Sequence, residues 1–174
     1  MKNLTYPLAA AHQALFLAAL VALTPQAHAA PREDTLLAEA SLRGGDVPTA
    51  MALLRKASDQ GHPAAQARLA DLLHGAEYDK EAIELYRKAA EQDDPAGQFG
   101  LGRMYAIGAG VARDPVLALE WYRKAERQNH APALDALARA HRAGDLGLVR
   151  NIDEASAFET RALKARQVLV KDSK

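Results

Sequence analysis

One eight-residue pattern, with alanine at its first and last positions, occurs four times in this 174-residue chain. The copies are AMALLRKA, AIELYRKA, ALEWYRKA and ASAFETRA, at residues 50–57, 82–89, 118–125 and 155–162. Successive copies begin 32, 36 and 37 residues apart. Internal similarity at such a period is typical of stacked repeats, in which each unit buries its apolar face against the next. The chain is therefore expected to fold as a repeat array rather than around one central core.

Each copy predicts an amphipathic helix, which we term helix B of its repeat. Ala118, Trp121, Tyr122 and Ala125 lie at positions i, i+3, i+4 and i+7, which form one face of an α-helix. The alanines allow a neighbouring helix to approach closely, and the aromatic side chains fill the groove between the two helices. We therefore place these four side chains in the core.

A second phrase precedes each of the three later copies and predicts helix A. It reads GHPAAQARLADLL, DDPAGQFGLGRMY and NHAPALDALARAH, beginning at residues 61, 93 and 129. Pro63 and Pro95 suit a first helical turn, where a missing N–H costs nothing, and Asp94 can cap its helix. Asp114 and Pro115 provide the same signal for helix B. The sequence thus predicts an all-α fold, an α/α superhelical solenoid of about three to four helix-turn-helix repeats.

Residues 96–130 resemble a nearly complete Sel1-like repeat. The marks of that family are a Leu-Gly-x-x-Tyr helix, a Gly-x-Gly-Val turn and a Trp-Tyr-x-Lys-Ala helix, found here at residues 101–105, 108–111 and 121–125. The resemblance covers roughly residues 35–166. It implies a solenoid related to the tetratricopeptide repeats, in which the A helices line the concave side and commonly receive partner peptides.

The first 29 residues differ in composition from the repeats. Lys2 is their only charged residue, an unbroken apolar run covers residues 14–23, and Ala27-His28-Ala29 follows. A positive start, a short apolar core and an A-x-A end form the pattern of a secretory signal peptide. We predict a signal peptide at residues 1–29, cleaved after Ala29, and a protein that is periplasmic or secreted.

An uncleaved membrane anchor is the alternative interpretation of this segment. A spanning helix needs roughly 20 apolar residues, whereas His12 and Gln13 interrupt any longer run. After cleavage we expect no stable membrane anchor. The remaining chain is predicted to comprise an N-terminal linker, the solenoid and a C-terminal tail, at residues 30–34, 35–170 and 171–174.

Composition argues against several functional classes. The chain has no cysteine, and therefore no disulfide, thiol nucleophile or cysteine-bound metal. Removing residues 1–29 takes away one of the 22 basic residues and none of the 22 acidic residues, which leaves a net charge of −1. This balance argues against nucleic acid as a partner, because binding to a phosphate backbone needs a basic surface.

The sequence contains no convincing catalytic, cofactor or metal motif. His62, His74, His130 and His141 form no H-E-x-x-H spacing and no pair at i, i+4. No serine lies in a G-x-S-x-G motif. His62 and His130 occupy equivalent turns between repeats, which favours a structural role for both. We therefore expect a protein that is not an enzyme and that uses no cofactor or metal.

The A helices offer a surface for a partner protein. We predict that the partner is bound by polar side chains that helix A presents outside the core, namely Arg68, Asp71, His74, Arg103, Arg139 and Arg142. Asp71, Arg103 and Arg139 share one repeat position and should line up along the array. Arginine is favoured at interface anchors and binds carboxylates through two hydrogen bonds. The expected ligand is an acidic or carboxylate-bearing segment, with ordinary solvated helix charges as the alternative.

The resemblance to Sel1-like repeats implies an adaptor or scaffold in envelope assembly, signalling or host contact, or an immunity-type inhibitor of a toxin. A cell-wall-related enzyme or small-ligand-binding protein is the alternative function, since some cysteine-rich relatives are credited with β-lactam binding. This chain lacks their cysteines and any Ser-x-x-Lys motif, which favours the non-enzymatic interpretation.

Overall fold

A computed structural model of the protein describes residues 29–172, with the side chains of residues 32–168. This part of the chain contains eight α-helices and no β-strand. The helices are α1 (Ala29–Arg43), α2 (Val47–Asp59), α3 (Pro63–Gly75), α4 (Asp79–Glu91), α5 (Pro95–Ile107), α6 (Pro115–Arg127), α7 (Ala131–Ala143) and α8 (Ile152–Asp172). None of these eight is both long and apolar enough to span a lipid bilayer.

The eight helices form four consecutive pairs, each with one A helix and one B helix. The A helices are α1, α3, α5 and α7, and the B helices are α2, α4, α6 and α8. Each helix packs against its neighbours in the chain, and α3 also packs against α1 and α5. The all-α solenoid of helix pairs that the repeats predict is confirmed.

Proline and aspartate set the starts of several helices, as the sequence indicates. The helices α3, α5 and α6 begin at Pro63, Pro95 and Pro115, where a backbone N–H would have no partner inside the helix. The Asp94 carboxylate accepts a hydrogen bond of 2.7 Å from a backbone N–H of α5, and Asp114 caps α6 in the same way. Each such cap stabilises its helix by about 1 kcal/mol.

The turns from B helices to the following A helices share a left-handed residue. Gly61, Asp93 and Asn129 occupy the same repeat position and have φ angles of 83°, 62° and 55°. Apart from glycine, Asp and Asn are the residues that most readily adopt this backbone region. The chain therefore reverses at the same point in each of these repeats.

The core consists of alanines and a few large side chains between them. The alanines at the first and last positions of all four eight-residue patterns are fully buried. The large residue between them is Leu54 in α2, Tyr86 in α4 and Tyr122 in α6, with 0%, 1% and 5% exposure. One cluster of apolar side chains joins the first three pairs, and a second cluster joins the third pair to the fourth. The core is thus shared between pairs along the array.

The predicted boundaries of the repeat region need correction at both ends. Residues 30–34 are not a linker but belong to α1, where the buried Asp34 carboxylate accepts a hydrogen bond of 3.3 Å from Lys56 Nζ of α2. This contact gives the start of α1 a partner in the neighbouring helix. The last helix continues to Asp172, into the predicted tail, and residues 1–28 of the predicted signal peptide lie outside the described residues.

Trp121 is less buried than its place in the pattern predicts. It lies at the edge of the first cluster, partly exposed, and Lys124 Nζ lies 3.5 Å from its ring centroid. The neighbouring Tyr122 takes the central position against α5, which leaves the indole one position further out. A cation over the exposed ring face is a favourable arrangement for such a partly solvated aromatic residue.

Two glycines of α5 make room for tyrosine rings of both adjacent B helices. A Cβ atom at Gly100 would lie 2.1 Å from Tyr86 Cε1, and one at Gly102 would lie 2.8 Å from Tyr122 Cδ1. Both distances are too short for a side chain to be accepted without movement of the ring. The tyrosines of α4 and α6 can therefore pack on α5 only because these positions lack side chains.

Replacing Gly100 by alanine should lower the free energy of unfolding by about 1–3 kcal/mol, because the added methyl group overlaps the Tyr86 ring. In an open helix the same change would be stabilising, by up to about 1 kcal/mol. The matched control is Gly75→Ala in α3, where nothing lies within 4 Å of the new Cβ. Urea unfolding followed by circular dichroism measures both variants, and equal effects would contradict the packing described for α5.

Candidate functional site

A row of charged side chains crosses the A helices at one repeat position. This A-helix row consists of Glu39 on α1, Asp71 on α3, Arg103 on α5 and Arg139 on α7. Its members follow one another at intervals of 32, 32 and 36 residues, which match the spacing of the repeats. The row therefore reads acid, acid, base, base from α1 to α7.

Arg68 connects the two acids of the A-helix row. Its Nε donates a hydrogen bond of 2.7 Å to Glu39 Oε1, and its Nη1 lies 3.9 Å from Asp71 Oδ2. All three side chains are partly exposed, and ion pairs in such surroundings typically contribute at most about 1 kcal/mol. The main effect of Arg68 is to satisfy the acids of α1 and α3 within the protein.

Asp71, Tyr86 and Arg103 form a hydrogen-bonded triad between α3, α4 and α5. The Tyr86 hydroxyl donates to Asp71 Oδ1 at 2.6 Å, while Arg103 Nη2 donates to the same carboxylate oxygen at 3.2 Å and to the hydroxyl oxygen at 2.7 Å. Burial and the nearby Asp71 charge raise the pKa of Tyr86, and the Arg103 charge acts in the opposite direction. Tyr86 therefore keeps its proton and acts as a donor to the carboxylate.

The structure brings three of the predicted binding residues together but pairs them with one another. Arg68 and Arg103 both contact Asp71, so the carboxylate is already engaged by two guanidinium groups. Arg139 differs from these residues, because it is exposed and has no ion-pair partner among the described residues. The α7 end of the row is thus the part with a free cation.

The remaining two predicted binding residues also have partners inside the protein. His74 Nδ1 lies 2.6 Å from Asp79 Oδ1 at the start of α4, and Arg142 Nη2 lies 2.7 Å from Glu159 Oε1 on α8. The partner-binding role of the six residues stays a prediction.

Two buried glutamines that were not singled out from the sequence connect the A helices α3 and α5 to the residues that follow their own B helices. Gln92 Nε2 donates to Gln66 Oε1 at 2.9 Å, and Gln128 Nε2 donates to Gln98 Oε1 at 3.1 Å. The signal was present in the sequence, because both members of each pair recur at equivalent repeat positions. In α7 the position is taken by Leu134, so the last repeat lacks this polar connection.

The histidines of the described region have separate surroundings. His62 Nδ1 accepts a hydrogen bond of 3.4 Å from Ala65 N at the start of α3, and the His141 ring lies 5.5 Å from the Phe158 ring. Among residues with described side chains, no group of three or more His, Cys, Asp or Glu residues could hold a metal ion.

His130 precedes α7 and is the histidine whose protonation the fold disfavours. Its Nδ1 atom is enclosed without a hydrogen-bond partner, and its ring centroid lies 5.4 Å from that of Phe99. Burial lowers the pKa of His130, although the charges of Asp94 and Asp71 act to raise it.

Comparison with protein families gives four matches along the chain. The Sel1 repeat model matches residues 36–62, 63–94, 95–130 and 131–159. These four segments correspond to the four helix pairs. No curated protein shows a significant match to the chain.

Several solved structures of Sel1-type proteins resemble this fold. A Sel1 repeat protein from Oxalobacter formigenes has a TM-score of 0.69 at 21% identity, over 78% of this chain and 58% of its own. A Sel1 repeat protein from Klebsiella pneumoniae subsp. pneumoniae has a TM-score of 0.69 at 24% identity, over 82% of this chain and 72% of its own. The protective antigen c5321 of uropathogenic Escherichia coli, with an SLR fold, has a TM-score of 0.65 at 26% identity, over 80% of this chain and 32% of its own. The chain thus spans about three fifths of the first protein and one third of the antigen.

His130 should make the stability of the protein fall as the pH decreases below 6.5. Above pH 6.5, the ordinary pKa of histidine, the ring is neutral in both the folded and the unfolded state. Protonation of His130 therefore does not lower the free energy of unfolding there. Below pH 6.5, the unfolded state takes up the proton first, and stability decreases until the pH reaches the lower pKa of the folded state. His130→Asn should reduce this decrease, since asparagine can cap α7 without titrating.

Urea unfolding between pH 7.5 and pH 5 measures this dependence for the wild-type protein and the variant. The control is His62→Asn, which changes the equivalent residue before α3 and should leave the His130 contribution in place. A pH dependence that is identical in the wild-type protein and His130→Asn would contradict the role assigned to burial.

Proposed function

Because the chain belongs to the Sel1 repeat family, we propose that it is a non-enzymatic adaptor or scaffold that binds a partner protein across its A helices. Sel1 repeats are generally protein–protein interaction modules, and their fold is typically a non-enzymatic scaffold. The array supports such a role because equivalent positions recur along successive A helices, which gives a partner a regular surface to follow.

The observation that carries the proposal is the free cation at the α7 end of the A-helix row. Glu39 and Asp71 are engaged by Arg68, and Asp71 is engaged again by Arg103. Arg139 is exposed on α7 without an ion-pair partner in the described part of the chain. A guanidinium group on a rigid helix is well suited to anchor a carboxylate of another protein. The proposed partner therefore presents an acidic segment to this end of the array.

The proposed place of action is the periplasm or the exterior of the cell. The support is the sequence pattern of residues 1–29, with its single lysine, apolar run and A-x-A end. An exported scaffold could serve envelope assembly or neutralise a toxin outside the cytoplasm, and the identity of its partner distinguishes these roles.

Reversing the charge of Arg139 should weaken binding of the partner by on the order of tenfold, because the acidic segment would then meet a like charge. The full chain, Arg139→Glu and Arg127→Glu are expressed in the native host and cross-linked in cells. Cross-linked proteins are then purified and quantified by mass spectrometry from extracytoplasmic and cytosolic fractions.

Arg127→Glu is the matched control, since Arg127 is also an exposed arginine but lies at the end of the B helix α6. One extracytoplasmic protein should be recovered in cross-links to the full chain and to Arg127→Glu, but lost from the cross-links to Arg139→Glu. Equal recovery with all three chains, or equal loss with both variants, would show that the A-helix row does not carry the binding.

A further inference from the structure

We propose that Tyr122, Arg103 and Arg139 form a binding site for an aspartate side chain of the partner protein. This inference rests on the proposed function and names the chemical group that the A-helix row binds. Two sets of equivalent repeat positions in the described part of the chain carry a tyrosine and an arginine, and one of these sets already contains an aspartate.

The second and third helix pairs together show what such a site looks like when it is complete. Asp71 accepts hydrogen bonds from the Tyr86 hydroxyl at 2.6 Å and from Arg103 Nη2 at 3.2 Å. The carboxylate comes from α3, the hydroxyl from the following B helix and the guanidinium group from the next A helix. The protein therefore binds one of its own aspartates with a tyrosine and an arginine.

One repeat further along, the same tyrosine and arginine recur without the acid. Tyr122 stands 36 residues after Tyr86, and Arg139 stands 36 residues after Arg103. The position equivalent to Asp71 is held by Arg103 itself. The second place thus has the two donors of the complete triad and a further cation where the carboxylate would be.

The donors of this second place are not used within the described part of the chain. The Tyr122 hydroxyl makes no hydrogen bond there, although its ring is buried and stacks on Phe99 with 5.7 Å between centroids. Among the described residues, four side-chain polar atoms are fully enclosed without a partner, and the Tyr122 hydroxyl is not one of them, so the hydroxyl keeps some contact with solvent. Arg103 uses Nη2 for its two hydrogen bonds and leaves Nη1 free.

Tyr122 packs between the helices that carry the two arginines. The Arg103 guanidinium lies 5.8 Å from the centroid of the Phe99 ring, on which Tyr122 stacks, and Tyr122 shares an apolar cluster with Leu137 and Ala140 of α7. Burial raises the pKa of Tyr122, whereas the charges of Arg103 and of Arg139 both oppose that rise. The Asp145 charge acts to raise the pKa of Tyr122. Asp145 Oδ1 accepts hydrogen bonds from Leu146 N at 2.7 Å and from Arg113 Nη2 at 3.4 Å, and Asp145 makes no hydrogen bond to Tyr122.

Among the described pairs, a B-helix tyrosine followed by an unpaired arginine on the next A helix occurs once, at Tyr122 and Arg139. In the fourth pair Glu159 stands at the repeat position of Tyr122, and it is paired with Arg142 at 2.7 Å. A carboxylate between Arg103 and Arg139 would separate two like charges and receive a hydroxyl hydrogen bond in addition, as Asp71 does. The internal example, Asp71, is a side-chain carboxylate rather than a chain terminus, which is why an aspartate side chain is the proposed ligand.

The probe for this site is the blocked peptide acetyl-(Asp)6-amide, titrated into the full chain at low salt. Nuclear magnetic resonance follows the arginine Nε–Hε signals and the backbone amides of α5 and α7. Saturable shifts should appear at Arg103 and Arg139. Arg139→Gln should weaken binding about tenfold, as expected for the loss of one charge-assisted hydrogen bond. Tyr122→Phe, which keeps the buried ring, should weaken it about fivefold.

Arg127→Gln removes the same charge from a B helix and should change the affinity less than about twofold, since exposed charges on other faces contribute little. Equal weakening by Arg127→Gln and Arg139→Gln would show unspecific attraction and overturn the site. No effect of Tyr122→Phe would overturn it as well. Binding of acetyl-(Asn)6 with a free carboxyl terminus, in place of the blocked aspartate peptide, would assign the site to chain termini and contradict the proposal.

Failure of this inference is distinguishable from failure of the proposed function. If the peptide does not bind while a cross-linked partner still depends on Arg139, the scaffold role stands and the aspartate site is wrong. If the peptide binds as described while cross-linking yields no partner that depends on Arg139, the aspartate site stands and the scaffold role loses its support.

Discussion

The contact between alanine-lined helices of neighbouring pairs is the interaction on which the whole molecule depends. The eight alanines at the first and last positions of the repeated pattern are buried, and small side chains allow the helix backbones to approach closely. Gly100 and Gly102 extend this effect, because they let the rings of Tyr86 and Tyr122 lie directly on α5. Each buried Å² of apolar surface contributes about 25 cal/mol. The apolar clusters extend across the boundaries between pairs, so each pair needs its neighbour to bury its full apolar face.

Stacking also creates the surface from which we infer function. A repeat of 32 to 36 residues returns the same helix position to successive A helices, which places Glu39, Asp71, Arg103 and Arg139 in one row. The first part of the row satisfies its own charges through Arg68 and the Tyr86 triad. In the last part of the row, Arg103 occupies the position that Asp71 occupies one repeat earlier. This single difference leaves the donors of Tyr122 and Arg139 without a partner in the described part of the chain. The proposed site thus arises from a departure from the repeat.

The fold could be predicted from the sequence because its signals are local and recur. The proline and aspartate starts, the alanine pattern and the glycine-containing turns each act within a few residues, and their repetition excludes other arrangements. The helical state of residues 30–34 was not predictable in this way, because its partner Lys56 lies 22 residues from Asp34. The pairing of Arg68, Asp71 and Arg103 depends on distances between helices, which a sequence pattern does not contain. Their alignment was predictable, whereas their mutual neutralisation was not.

Circular dichroism of the excised third pair, residues 95–130, compared with residues 29–172, tests most directly whether a pair depends on its neighbours. The stacked array requires the isolated pair to show little helical signal, since its tyrosines and alanines would face water, while the longer chain unfolds cooperatively in urea. A third pair that is fully helical and unfolds cooperatively by itself would contradict this dependence, and with it the view that stacking alone positions the A-helix row.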